Sequence, residues 1–210
     1  TGIKKILVSF KKIDEKLSSN GFDSEERNLF INHTLWSRDG NWIYFFVRAG
    51  WKADKDGREG LNVACSIKVD GSSFIVGHKF IGGHPEWSKG TEIIGSYKDR
   101  QVVYDILKQK IIRKIGNNII FPRPGGDISL SPNSVWLING YNDKKGYNHY
   151  SILNLKSGEW IKTPSFNTGN YEKDLRIDPA PRWNHDNNQI LVSGLNNDGI
   201  RQLYTISLLY

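Results

Sequence analysis

Two histidines and a carboxylate stand at one repeated position of this chain. Four segments share an internal layout: "NHTLWSRDGNWIYFF" from Asn32, "GHPEWSKGTEIIGSY" from Gly83, "GDISLSPNSVWLINGY" from Gly126 and "APRWNHDNNQILVSGL" from Ala180. Each has an anchor (Trp36, Trp87, Leu130, Trp183) followed seven residues later by an aliphatic residue (Ile43, Ile94, Leu137, Ile190). Three residues before the anchors stand His33, His84, Asp127 and Ala180. Were these side chains to converge, His33, His84 and Asp127 could ligate a metal or share acid/base work. The competing reading is that each caps its own segment by bonding to backbone.

The elements that would position them are hairpins. Between each anchor and its aliphatic partner lies a turn: Asp39-Gly40, Lys89-Gly90, Pro132-Asn133 or Asp186-Asn187. Such residues tolerate the φ > 0 that a tight turn demands. The anchors lie 51, 43 and 53 residues apart. Periods of ~40–50 residues with four strands each mark β-propeller blades. The expected fold is therefore all-β, a propeller with four blades in this chain, over about 31–80, 83–116, 126–166 and 180–210. Residues 1–30 are read as a strand, Ile3 to Phe10, from a neighbouring or closing blade. A short basic helix, Lys11 to Ser19, and a polar connector follow it. In blade three, "GYNDKKGYNHY" reads as a long polar connection.

Innermost propeller strands line a central channel. The connections after the second strands then crowd its mouth. They hold Arg48, Trp51, Lys52, Tyr97, Arg100, Tyr141, Lys144, Tyr147, His149 and Arg201. Arg grips a carboxylate through paired hydrogen bonds, and aromatic faces suit sugar rings. Arg48, Trp51, Tyr97, Arg100, Tyr147 and His149 are the expected substrate contacts. Tyr141 joins His33 as a candidate catalytic group.

The 210 residues carry 29 Lys and Arg against 22 Asp and Glu, a net charge of +7. That charge favours an acidic partner (nucleic acid, a membrane surface or an anionic polysaccharide) or is simply a basic soluble surface. With the Arg and Tyr loops, the expected partner is an anionic polysaccharide or oligosaccharide. Specific nucleic acid is not expected, because no recognised module is present. No run is long and apolar enough to span a membrane, so no membrane partner is expected. The single cysteine, Cys65, rules out an intrachain disulfide. No G-x-S-x-G, H-E-x-x-H, P-loop or C-x-x-C motif occurs. The absence of Met suggests a processed product or a piece of a longer protein.

The phrases "INHTLWSRDGNWIYFF", "GDISLSP…NGYND" and "APRWNHDNNQILVSGLNNDGIRQLYTISL" resemble the C-terminal half of propellers related to oligogalacturonate and ulvan lyases. They also share the Trp-Ser-x-Asp-Gly signature of TolB-type repeats. The resemblance implies a seven-bladed ring, with the missing blades as a partner. It also implies β-elimination on a uronate polymer. A periplasmic or extracellular setting is expected, though the single cysteine leaves the redox compartment open. The resemblance casts His33 as the base and His84 as a ligand of a divalent metal (Mn, Ca or Zn). The family's third-blade His is Asp127 here, and "RIDPAPRW" lacks its last-blade ligands. Asp127 and Asp178 would then supply oxygen donors instead. The alternative is a non-catalytic propeller that binds a glycan or a protein.

Overall fold

The computed structural model describes residues 2–50 and 59–209. The described residues are all-β apart from one helix and one 3-10 turn, and the chain forms two compact units. The first is Thr1–Phe80 with Lys89–Glu92 and Asp105–Lys110; the second is Ile81–Ser88, Ile93–Tyr104 and Ile111–Tyr210.

In the first unit, helix α1 (Phe10–Ser19) precedes the antiparallel sheet β1 (Phe30–Trp36), β2 (Trp42–Ala49), β3 (Leu61–Lys68) and β4 (Phe74–Val76), ordered as in sequence. Residues 2–9 contain no strand, contrary to the reading of Ile3 to Phe10. The reason is local. Ser9 is extended and its side chain accepts from the Lys12 N–H at 3.2 Å, an N-cap that starts a helix at Phe10. Ile13 and Leu17, one helical turn apart, are then buried against Phe45, Val47, Val63 and Cys65. Ile3 and Ile6 remain exposed.

The second repeat segment is β5 (Gly82–Trp87), β6 (Glu92–Tyr97), β7 (Arg100–Asp105) and β8 (Lys110–Ile115). The third is β9 (Asp127–Leu130), β10 (Trp136–Asn142), β11 (Tyr147–Asn154) and β12 (Trp160–Lys162), and β13 (Phe166–Asn167) also pairs with β11. The fourth is the three-stranded sheet β14 (Arg182–Trp183), β15 (Gln189–Leu195) and β16 (Arg201–Ser207). The "GYNDKKGYNHY" stretch is not a long connection. It is the end of β10, a tight turn and the start of β11, with Tyr141 paired to His149 and Asn142 to Asn148. Asp143 makes this possible, because its Oδ1 accepts the Lys145 and Tyr147 N–H groups and closes the turn.

The repeat is real at the level of hydrogen bonds. Trp36 pairs with Ile43, Leu130 with Leu137 and Trp183 with Ile190. The residue after each of these anchors clamps the turn. Ser37 Oγ accepts from the Trp42 N–H at 2.8 Å, Ser131 Oγ from Trp136 at 2.9 Å and Asn184 Oδ1 from Gln189 at 3.1 Å. The second hairpin departs from the count: Trp87 pairs with Ile93, and Ile94 faces Glu86.

Two apolar clusters hold the second unit. Ile94, Val103, Phe121, Ile128, Leu130 and Leu137 form one, and Ile138, Tyr150, Ile152, Ile190 and Val192 the other. Tyr150 hides its hydroxyl by donating to the Pro179 carbonyl at 3.0 Å.

Candidate functional site

The inner strands β5 and β9 run parallel, with His84 directly opposite Asp127. Close backbone approach makes this possible. A Cβ on Gly83, at φ +73°, would sit 3.1 Å from the Gly125 carbonyl oxygen, and one on Gly126 would sit 2.1 Å from that of Gly140. Three of the four repeated positions meet here. His84 Nδ1 bonds Asp127 Oδ1, and the Ala180 N–H donates to Asp127 Oδ2 at 2.8 Å. The fourth, His33, lies in the first unit. It is an exposed residue of β1 at a bulge, with φ +54° and its ring edge-on to Phe46.

Burial pushes the Asp127 carboxyl up. The His84 hydrogen bond and charge, the Ala180 N–H and the Arg182 charge outweigh it and hold the group below its ordinary value. The hydrogen bond to Asp127 raises His84, against its own desolvation. The couple is thus a carboxylate facing an imidazole biased toward its charged form. Half of the His84 side chain is exposed, whereas Asp127 is nearly covered.

Asp127 forms one wall of a cavity of about 250 Å³, with Arg123, Gly126, Gly140, Tyr141, Asp178 and Pro179 around it. Arg123 donates to the Asn142 carbonyl at 2.5 Å and lies over the Tyr141 ring, 5.6 Å from its centre. The same ring stacks on His149 at 5.2 Å. His149 Nε2 is held 3.0 Å from Asp143 Oδ2, and that bond, with the turn amides, draws Asp143 down to about 2. Tyr141 is therefore sandwiched in a stack and is not an open face for a sugar ring.

Among the described residues, no three His, Cys, Asp or Glu side chains are grouped to hold a metal ion. His84, Asp127 and Asp178, the expected ligands, do not fit one. His84 Nδ1 and both Asp127 oxygens are engaged with each other and with Ala180, and Asp178 accepts from Arg176 Nε at 2.7 Å.

The other expected contacts scatter. Arg48, half-buried in the first unit, donates to Asn62 and lies over Phe46. Tyr97 and Arg100 flank the Lys98-Asp99 turn, where Arg100 lies 3.6 Å from Asp99. Tyr147 is exposed at the start of β11. Trp51 and Lys52 lie outside the described residues. Arg123 went unrecognised in the sequence. Its one signal is the "FPRPGGD" run that leads straight into Asp127.

Neither a family model nor a curated protein matches this sequence. Solved structures do. An oligogalacturonate lyase in complex with manganese matches at 14% identity with a TM-score of 0.56, over 86% of this chain and 49% of that one. A 6-phosphogluconolactonase-type protein from Bacteroides uniformis matches at 15% identity and a TM-score of 0.39, over 86% of this chain and 55% of that one. Another from Bacteroides fragilis matches at 13% and 0.39, over 89% and 57%. The chain thus spans about half the length of these structures. The likeness to the lyase is one of fold, propeller-like and all-β.

Proposed function

We propose that this chain is part of a larger lyase-type propeller and binds a uronate-containing oligosaccharide at the Asp127 end of its inner strands. The observation that carries the reading is the placement of Arg123, braced on Tyr141, in the lining of the cavity beside Asp127. A guanidinium fixed this way presents a planar fork to a carboxylate. The propeller relative that acts on oligogalacturonate supports the sugar class.

Calorimetry against oligogalacturonate tests this. Saturable binding that weakens with salt is expected, and Arg123→Ala should abolish it. Equal binding of a neutral oligosaccharide of the same length would refute the reading.

β-Elimination is the second reading, favoured by the Tyr141 hydroxyl group's residue lining the same cavity as Arg123. Arg123 would neutralise the uronate carboxylate and so acidify the adjacent C–H. The Tyr141 oxygen would take that proton while its own passes to solvent; the C–H electrons would form the ring double bond, and the C–O bond to the neighbouring sugar would break. The departing oxygen would then take up a proton. An ultraviolet-absorbing unsaturated product, lost in Tyr141→Phe, would establish it. Binding without that product leaves the glycan-binding function alone. No step is assigned to a metal, because the donor set does not fit one.

A further inference from the structure

A second, larger cavity adjoins the first. It measures about 780 Å³, and Asn142 and Asp178 line both. The wall between them is built, not incidental. Asn142 donates to Asn148 Oδ1 at 3.1 Å and to Thr168 Oγ1 at 3.2 Å, and buried Asn148 donates to the Ile177 carbonyl at 3.2 Å. The far compartment holds two acidic groups, Glu172 and Asp178, and Arg176 is paired with Asp178 at 2.7 Å, so the available cations there are the two lysines. Lys144, Lys145 and Arg176 line it, and neither lysine ammonium has a hydrogen-bond or ion-pair partner among the described residues. Tyr171 adds a half-exposed ring, with the Arg201 guanidinium 5.3 Å from its centre. Gly169, at φ +65°, admits that ring, since a Cβ there would meet it at 2.9 Å.

We infer that the two compartments form one cleft for an extended acidic oligosaccharide, with one carboxylate at Arg123 and a second, from a later sugar unit, at Lys144 and Lys145. This rests on the uronate-binding reading and extends it to chain length. Cavities of ~300–1,000 Å³ enclose ligands of drug size. The far compartment alone reaches that range, while the near one has room for little more than a single unit. Two cationic groups separated by a polar wall discriminate a polyanion from a monoanion, because each neutralises its own charge.

The test is calorimetry of galacturonate, its dimer and its tetramer on wild type, Arg123→Ala, and a Lys144→Ala/Lys145→Ala double variant. All are first checked for unchanged thermal unfolding, and a single Lys145→Ala replaces the double variant if that one unfolds early. The wild type should bind tetramer at least about 10-fold more tightly than monomer, one charge-assisted contact's worth. The double variant should lose that gain and keep monomer affinity, whereas Arg123→Ala should lose both. Affinity flat with length, or a double variant that weakens monomer and tetramer alike, overturns the inference and leaves the binding site standing. No binding at any length overturns the proposed function as well.

Discussion

Replacing Asp127 separates two interactions that one carboxylate carries. In Asp127→Ala the Ala180 N–H loses its acceptor at a partly buried place, which costs about 1–3 kcal/mol. The bond to His84 is lost too, but His84 is half exposed, so solvent screening limits that part to about 0–1 kcal/mol. The expected loss is roughly 2–3 kcal/mol. Asp127→Asn keeps an oxygen for Ala180 and should cost about 1 kcal/mol, close to His84→Ala. Denaturant unfolding, followed by tryptophan fluorescence at several pH values, reads all three. His84 is raised in the folded state, so its contribution is full below its unfolded value of about 6.5 and vanishes as pH rises through the folded value. Asp127 is lowered, so its contribution holds above about 3.9 and fades only as pH falls through the folded value. The gap between wild type and His84→Ala should therefore be wider at about pH 6 than at about pH 9. A gap that widens upward, or an Asn variant as damaged as the Ala variant, would refute this account.

Gly126→Ala should fail to fold or lose at least about 3 kcal/mol, because its Cβ would fall 2.1 Å from a backbone oxygen that cannot yield; soluble yield and melting temperature report it. Tyr150→Phe should cost about 1 kcal/mol by leaving the Pro179 carbonyl unpaired while preserving the packing, measured by denaturant midpoint. Burial raises the Cys65 thiol to about 12, so alkylation near pH 8 should be slow in native protein and prompt in denaturant, as followed by mass spectrometry.

The hairpins could be read from the sequence because their causes are local. An anchor, a clamping Ser or Asn and a turn residue all lie within eight positions of one another, as in Trp36, Ser37 and Ile43. The second hairpin misled by one residue because Lys89-Gly90 makes a shorter turn, and spacing alone does not reveal pairing. Ile3 to Phe10 is rich in aliphatic residues, as a strand is, yet Ser9 caps a helix that takes over at Phe10. The His84–Asp127 pairing followed from treating the repeats as in phase. The cleft did not, since Arg123, Asn142 and Asp178 come together only through the β9–β10 hairpin and the segment after β13. The expected metal ligands could not be tested by counting: among the described residues they form no group of three, because Asp178 is held by Arg176 while His84 and Asp127 bond each other.

The turn clamps also bear on how the molecule is made. Ser37, Ser131 and Asn184 each close a ring of six residues, a closure expected within microseconds. The parallel seam between β5 and β9 joins His84 to Asp127, which requires two finished hairpins to find each other across a long stretch of chain. Assembly in the second unit should thus be hierarchical, with quick local closures and a slower docking of preformed pieces. Substitutions at the seam should then slow refolding more than those in the turns.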